Sequence, residues 1–384
     1  MDDWNPKRPE AWAELFGLVV VPMFGHPQNA TASPRGIHSL MLDGSRGSFL
    51  LSTSGPKSLV AGPDPVQWAW SANVNHAVAI SGADGEIAIV RRWDSPSEAE
   101  EWPISSERDA RALFRAIEKA PQPPDAQSVI ARGLNTFRAI RVAIEKQGGS
   151  ALDVVLAFNT VLAWVAQQQD GPSEAEVAFA DAVRVVGSSG RVGFTPQQIS
   201  SQLRSFPLGD LARLLREGDR QFSRYLLDAN LLIRHASGPL YQEAHKQLLE
   251  AAEPAVQEEM FPKEMLIVGS ERPRGPVPSF VHHTPPSLAR ALVEIALRLL
   301  EKDTSTEFLD VLDPSSGSGI FLIEALRELN LQKSFPQVAR LRAFDQSPLA
   351  TAMADFCLRN AAPASDRYTV TIQSQNSQIG RAHV

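Results

Sequence analysis

A short glycine-rich stretch is the part of this sequence whose residue types point most directly to chemistry. Residues 313–322 read DPSSGSGIFL, directly after the β-like run 307–312 and ahead of a helical pattern. Gly317 and Gly319 let the backbone turn tightly and approach a ligand without Cβ clashes, and a helix that begins here offers free N–H groups. The stretch is neither a Walker loop, since no Lys follows it, nor a GxGxxG turn. The Asp313 carboxylate suits a cofactor with a cationic amino-acid group better than a pyrophosphate; an ordinary Gly/Ser turn is the alternative.

Two further segments, one before and one after this stretch, carry residues suited to the same ligand. Residues 281–289 read VHHTPPSLA, in which Thr284 is a candidate helix cap with proline in the first turn. Residues 343–350 read AFDQSPLA and place Asp345 at the end of a predicted strand, where a carboxylate can accept hydrogen bonds from ribose hydroxyls. The two histidines at 282–283 have no Cys or His partners at the spacing of metal ligands, so no metal site is predicted.

Taken in this order, the three segments resemble the cofactor motifs of S-adenosylmethionine-dependent DNA adenine-N6 methyltransferases, of the type I-like and fused type II restriction-modification kind. Residues 313–322 are similar to DPxxGSGxFL, and residues 284–289 are similar to the TPxxLA part of (Y/F)TPxxLA. His283 stands where that family usually has Tyr or Phe. Residues 343–350 are similar to the family's Asp-xx-Pro-xx-Ala pattern. The resemblance is close over residues 280–377 and loose over the helical region before them.

This resemblance implies the cofactor, the substrate and the partners. The cofactor is S-adenosyl-L-methionine, and Asp345 is the expected ligand of its ribose. The activity is methyl transfer to adenine in double-stranded DNA, in a restriction-modification or phage-defence system, with a specificity or restriction subunit as a further partner and no membrane. The family's next acidic position falls near Asn376, where this chain has no Asp. The implied cofactor-binding residues are His283, Thr284, Pro285, Asp313, Ser315, Gly317, Ser318, Gly319, Asp345 and Gln346.

The family's catalytic motif is not found in this sequence. Adenine-N6 methyltransferases use (N/D/S)PP(Y/F/W), which binds the target amino group and stacks on a flipped base. The two Pro-Pro pairs, at 123–124 and 285–286, fit the motif neither in sequence nor in order. We therefore assign no catalytic residue and expect this chain to be inactive in methyl transfer alone.

The last residues of the sequence give a reason to expect that motif elsewhere. Residues 378–384, QIGRAHV, resemble the translated read-through of a sequencing adapter. We therefore expect that the gene model ends early and that the catalytic motif and any target-recognition domain are encoded beyond residue 384. A fused nuclease is not expected, because no lysine has the Asp or Glu two residues before it that a (D/E)xK core needs.

Composition fits a multidomain protein of the cytoplasm. The chain has 384 residues and one cysteine, Cys357, which excludes an internal disulfide and favours a reducing cytoplasm. No signal peptide is visible, and the most apolar helical stretch, 154–166, is too short to span a bilayer and is expected in a core. The net charge of -7 argues against a chain that coats DNA by charge alone.

The elements that must position these residues predict a multidomain α/β protein. Residues 1–120 form a mixed α/β region of unknown role, with a hairpin between the runs AVAI and IAIV and a helix over 106–120. Ser106 is the candidate cap of this helix. The apolar residues predicted on one face of it are Ala110, Leu113, Phe114 and Ile117. Residues 121–260 form a helical middle domain, and 261–279 a Pro-rich linker. Residues 280–377 alternate helix and strand, with apolar residues on one side of a first helix over 286–301. This is the start of a doubly wound, Rossmann-like methyltransferase sheet.

Two alternatives remain open on the sequence alone. The first is a methyltransferase of the same sheet that acts on a protein glutamine or an RNA base. The second is a non-catalytic module that binds cofactor or partner subunits. The long helical region ahead of the motifs favours DNA modification over the first alternative.

Overall fold

The structure is a computed structural model that describes part of the chain. The described residues are 4–22, 38–43, 47–53, 65–82, 85–93, 95–120, 126–167, 178–198, 204, 233–234, 238, 240–242, 284–300, 308–331, 338–361 and 368–374. His283, Asn376, the predicted linker 261–279 and the tail 378–384 lie outside these residues. Where it is described, the chain is mixed α/β.

Nine α-helices and nine strands lie within the described ranges. The helices are α1 (Pro9–Phe16), α2 (Pro65–Ser71), α3 (Glu107–Lys119), α4 (Ala126–Glu145), α5 (Ala151–Gln167), α6 (Phe179–Ser188), α7 (Pro286–Leu300), α8 (Ile320–Leu331) and α9 (Pro348–Ala361). The strands are β1 (Val19–Pro22), β2 (His38–Leu42), β3 (Phe49–Ser52), β4 (His76–Ser81), β5 (Ile87–Arg92), β6 (Ser95–Pro103), β7 (Phe308–Asp313), β8 (Val338–Asp345) and β9 (Tyr368–Ser374). No helix of these ranges is long and apolar enough to cross a membrane.

The chain divides into two compact units. The first comprises Met1–Pro123, Pro286–Thr304 and Arg327–Lys333. The second comprises Pro124–Pro285, Ser305–Leu326 and Ser334–Val384. The domain boundaries expected from the sequence stay predictions.

The first unit contains a six-stranded mixed sheet in the order β1-β2-β3-β4-β5-β6. The β3 and β4 strands are parallel, with α2 in the connection between them, and the other neighbours are antiparallel. The β4-β5 pair confirms the hairpin predicted between AVAI and IAIV. Helix α3 confirms the helix predicted over 106–120. Ser106 caps it by accepting a hydrogen bond from the Asp109 N–H. Its buried residues are those of the predicted face: Ala110, Leu113, Phe114 and Ile117.

The charged side of helix α7 is buried. Arg290 is fully buried and pairs with Glu294 of the next turn and with Glu328. Its guanidinium also lies 5.9 Å from the ring of Trp68, in α2. A buried arginine of this kind needs its carboxylates, because removing one partner of a buried ion pair costs about 3–5 kcal/mol. The ion cluster thus joins α7 to α8, and the Arg290 guanidinium also contacts α2.

The opposite side of α7 is apolar and exposed. The sequence pattern predicts this helix and its one-sided apolar residues, and both predictions are confirmed. That side is nevertheless not part of the core of the first unit. The side chains exposed by a third or more are Leu288, Leu292, Ile295, Leu299 and Leu300.

The second unit contains a three-stranded parallel sheet in the order β7-β8-β9. Helix α9 connects β8 to β9 and packs against both strands. The strand that ends in Asp313 pairs with the strand that ends in Asp345, with Asp313 opposite Ala343. The carboxyl ends of the three strands therefore lie at one edge of the sheet, where the loops that carry the predicted cofactor residues begin.

Helices of the middle region pack on α9. Helix α5, predicted as a core helix, is almost entirely buried where its side chains are described. Asn159 donates a hydrogen bond of 2.7 Å to the carbonyl of Ala352, and the Gly193 N–H donates one of 2.8 Å to the Asp355 carboxylate. The Asn360 side chain donates to the carbonyl of Arg191. These bonds attach the helical region to the helix that follows Asp345.

Candidate functional site

The loop between β7 and α8, here called the glycine loop (residues 313–319), is a tight turn made by two glycines. Gly317 and Gly319 have φ of +51° and +87°, a left-handed conformation that residues with a Cβ adopt only at a cost. The Gly319 N–H donates to the carbonyl of Ser316 at 2.8 Å, and the Gly319 carbonyl accepts from the Ile323 N–H as α8 begins. The glycines therefore reverse the chain and start the helix within a few residues.

The glycine loop is hydrogen-bonded directly to the end of β8. The Ser316 N–H donates to the carbonyl of Phe344 at 2.9 Å. The Gly317 N–H donates to Oδ2 of Asp345, also at 2.9 Å. The glycine turn and the carboxylate that the sequence predicts at the same ligand are thus in direct contact.

The aspartate loop (residues 345–347) links the ends of β8 and β9 to α9. The other carboxylate oxygen of Asp345, Oδ1, accepts from the Ser347 N–H at 2.9 Å. The Ser347 hydroxyl accepts from the Ala350 N–H at 3.3 Å and so caps α9. The Ser374 hydroxyl donates to the Gln346 carbonyl at 3.4 Å. The carboxylate of Asp345 is therefore fixed on both sides by backbone N–H groups.

Asp313 carries an acceptor that the described residues leave unused. Its Oδ1 accepts from the Ser315 N–H at 3.1 Å, while its Oδ2 is buried with no hydrogen-bond partner among the described residues. The Ser316 hydroxyl in the same loop is also buried without such a partner there. Burial raises the pKa of Asp313, the Ser315 N–H opposes this rise, and the charge of Asp345 adds to it. Because a buried unpaired acceptor is costly, this carboxylate is suited to a cationic or hydroxyl-bearing ligand.

The two glycines differ in what surrounds them. A Cβ on Gly319 would lie 3.3 Å from the Cβ of Ala354, so this position is closed by α9. A Cβ on Gly317 would meet no described atom within 4 Å. The backbone at Gly317 therefore has open space beside it, into which a ligand can come close.

Most of the predicted binding residues lie in the two loops. Asp313, Ser315, Gly317, Ser318 and Gly319 belong to the glycine loop, and Asp345 and Gln346 belong to the aspartate loop. Thr284 is half-buried and Pro285 exposed, just ahead of α7. Among the described residues no hydrogen bond joins either of them to the two loops, and His283 lies outside those residues.

The structure adds one residue that the sequence did not indicate. Tyr241, from the helical middle region, is buried. Burial raises the pKa of Tyr241, the charge of Asp345 adds to the rise, and the Ser347 side chain opposes it. No local signal marks this tyrosine. Ser347, by contrast, precedes a proline at a helix start and could have been predicted as a cap.

Comparisons with known proteins give no family for the chain. No family model matches it, and no curated protein matches it. A similar solved structure is a cryo-EM structure of a DrdV–DNA complex, with 13% sequence identity, a TM-score of 0.30, and coverage of 92% of this chain and 35% of that chain. The chain thus spans about a third of the length of the structure it matches. Function must therefore be inferred from the chain's own residues.

The surroundings of the two glycines predict different costs of substitution. Gly317→Ala should lower the free energy of unfolding by about 1–2 kcal/mol, the cost of a left-handed alanine. Gly319→Ala should cost about 1–3 kcal/mol more, because its Cβ also presses on Ala354. Urea unfolding followed by circular dichroism measures both.

A glycine inside a helix provides the control. Gly187 lies in α6, where a Cβ would meet only the Phe194 carbonyl at 3.8 Å. Gly187→Ala should leave stability unchanged or raise it by up to about 1 kcal/mol. Equal losses for Gly317→Ala and Gly319→Ala would contradict the description of the glycine loop.

Proposed function

We propose that this chain binds S-adenosylmethionine between the glycine loop and the aspartate loop, as the cofactor-binding part of a DNA adenine-N6 methyltransferase. The observation that carries the proposal is the hydrogen bond from the Gly317 N–H to the Asp345 carboxylate. This bond brings the turn at Gly317, where the backbone can come close to a ligand, next to the Asp345 carboxylate. That carboxylate can accept hydrogen bonds from ribose hydroxyls. The three parallel strands with α8 and α9 between them agree with the start of a Rossmann-like sheet, in which ligands bind at the carboxyl ends of strands.

The polar groups of the two loops fit the chemical groups of this cofactor. Oδ2 of Asp313, which has no hydrogen-bond partner among the described residues, suits a positively charged amino group, and the Ser316 hydroxyl of the same loop can bond to a carboxylate. Each Asp345 oxygen already accepts one N–H and has a further lone pair for a ribose hydroxyl. The open side of Gly317 leaves room for the ligand to approach the backbone.

The chain's own residues bind and orient the cofactor rather than carry out chemistry. When bound, S-adenosylmethionine supplies an activated methyl group on a sulfonium. Asp313 and Asp345 hold the amino-acid and nucleoside parts, which restricts the direction in which that methyl group points. The presence of a carboxylate in each loop also suits a cationic ligand.

The assignment of DNA adenine as the substrate rests on the residues of the three motifs and on their order along the chain. Residues 284–289, 313–322 and 343–350 follow one another as in the adenine-N6 methyltransferases of restriction-modification and phage-defence systems. The 384 residues contain no (N/D/S)PP(Y/F/W), so the group that holds the flipped adenine is not among them. Double-stranded DNA and a specificity or restriction subunit are the proposed partners.

Cofactor binding is tested by calorimetry on the purified chain. The wild type should bind S-adenosylmethionine, and Asp313→Ala and Asp345→Ala should each weaken binding by about tenfold to a hundredfold, the loss of a hydrogen bond to a charged group. Asp310→Ala is the matched control. Asp310 lies on the same strand as Asp313, but it pairs with Arg342 at the surface, so its loss should leave affinity unchanged. Equal heats for all four proteins would refute the site.

The pH dependence of binding tests the role of Asp313 separately. Its pKa is raised by burial, so the chain without ligand keeps this carboxyl protonated to a higher pH than an unfolded chain does. Ionisation of Asp313 then lowers the stability of the ligand-free chain as pH rises through that window. A cationic amino group needs the carboxylate, so affinity should rise with pH over the same window.

The measurement is calorimetry from about pH 4.5 to about pH 8. Asp313→Asn cannot ionise and should give a flatter profile, whereas Asp310→Asn should follow the wild type. An unchanged slope in Asp313→Asn would show that another group controls binding.

The substrate is identified in the cells from which the gene comes. Replacing the codon for Asp313 by one for alanine at the native locus should remove a set of N6-methyladenine sites from genomic DNA, detected by mass spectrometry of digested nucleosides. The Asp310→Ala allele should keep those sites. Unchanged DNA, with loss of a methylated glutamine or a methylated RNA base instead, would replace adenine by that substrate.

A further inference from the structure

An asparagine lies in the middle of the apolar helix α5. Asn159 is only 1% exposed, and all of residues 154–163 around it are buried as well. Its Nδ2 donates a hydrogen bond of 2.7 Å to the carbonyl of Ala352 in α9. Its Oδ1 is buried and has no hydrogen-bond partner among the described residues. The polar side chain is therefore only partly satisfied by the residues around it.

Stability alone does not explain an asparagine at this position. An amide oxygen buried without a partner costs free energy, and asparagine is a weaker helix former than alanine or leucine. The Ala352 carbonyl lies inside α9, where the N–H four residues later can bond to it. An apolar residue in place of Asn159 would therefore leave this carbonyl with a partner. A buried polar residue that is unfavourable in this way is expected where a contact serves function.

The helix that receives this bond contacts both loops of the candidate site. The Ser347 hydroxyl of the aspartate loop accepts from the Ala350 N–H at the start of α9, and the Ser347 N–H donates to Asp345. Further along the helix, the Cβ of Ala354 lies 3.3 Å from the position that a Cβ would take on Gly319. A displacement of α9 would thus move the Asp345 carboxylate and remove the support of the glycine loop together.

The bond from Asn159 reaches α9 close to both of these contacts. Ala352 follows Ser347 by five residues, which is about 7.5 Å along a helix axis. The bonds that the middle region makes to the side chains of Asp355 and Asn360 lie farther along α9. Of these attachments, the one from Asn159 is therefore the nearest in sequence to the aspartate loop.

We propose that Asn159 is a positioning residue for the cofactor: by fixing α9, it keeps the Asp345 carboxylate against the Gly317 N–H, in the arrangement that receives the nucleoside. This rests on the proposed function, since the ligand of Asp345 is taken to be S-adenosylmethionine. It makes cofactor affinity depend on the helical middle region, which the three sequence motifs do not include.

Asn159→Ala separates this role from a contribution to stability. The change removes the donor and the unpartnered oxygen together and introduces a better helix former. The urea midpoint of the full chain should therefore stay at the wild-type value or rise. Affinity for S-adenosylhomocysteine, measured by calorimetry, should nevertheless fall by about threefold to tenfold, the effect of one hydrogen bond.

Asn159→Leu fills the space again without a donor, and it should lose affinity as Asn159→Ala does. Wild-type affinity in both variants would overturn the proposal. So would a urea midpoint that falls in step with affinity in both, because the role would then be structural only.

Thr160→Val is the matched control. Thr160 is the next residue of α5 and is also polar and fully buried, but its hydroxyl donates within the helix to the carbonyl of Leu156. Among the described residues this hydroxyl makes no bond to α9, so Thr160→Val should keep wild-type affinity. Equal losses of affinity in Thr160→Val and Asn159→Ala would contradict the proposal, because any polar-to-apolar change in α5 would then suffice.

Hydrogen exchange at Gly317 needs no ligand and separates this proposal from the proposed function. The chain is prepared with isotope-labelled glycine, and exchange of the Gly317 N–H, which donates to Asp345, is followed by NMR. Asn159→Ala should speed this exchange by about threefold to tenfold, whereas Thr160→Val should not change it. Unchanged exchange in Asn159→Ala would overturn the proposal even if the wild type binds the probe. Faster exchange, combined with a wild type that does not bind the probe, would refute the proposed function and with it the positioning of a cofactor.

Discussion

The hydrogen bond between the Gly317 N–H and the Asp345 carboxylate is the contact on which the candidate site depends. It joins the loop after the first parallel strand to the end of the second, and it requires both loops to be compact. A residue with a Cβ at Gly317 would occupy the open side of that contact. The positive φ at Gly317 and Gly319 and the cap at Ser347 are the local means by which the chain brings the two groups together.

Local signals explain why much of this arrangement could be predicted from the sequence. The strand before Asp313, the helix after the glycine turn and the strand end at Asp345 were predicted, because strand, glycine turn and cap are properties of short segments. The β4-β5 hairpin and the Ser106 cap follow from the same kind of signal. The contact between Gly317 and Asp345 could be expected only because parallel strands present their carboxyl ends at one edge.

Long-range packing explains what the sequence did not predict. The periodicity of α7 identifies an apolar side correctly, but it cannot tell that Arg290 and Glu294 are on the buried side, because that depends on Glu328 and on Trp68. Tyr241 was not predicted for the same reason: Asp345, whose charge acts on it, lies far along the chain, and nothing near the tyrosine distinguishes it from a core residue of a helix.

Oδ2 of Asp313, which has no hydrogen-bond partner among the described residues, is a feature that an ordinary strand-to-helix turn does not need. A turn that only reverses the chain has no use for a half-buried carboxylate whose second oxygen lacks a partner, since asparagine or serine could make the same bond to the Ser315 N–H. Burial and the nearby charge of Asp345 both act against the ionised form of Asp313. Two carboxylates kept close at a cost in free energy are what a site for a cationic ligand needs, because the ligand recovers that cost when it binds.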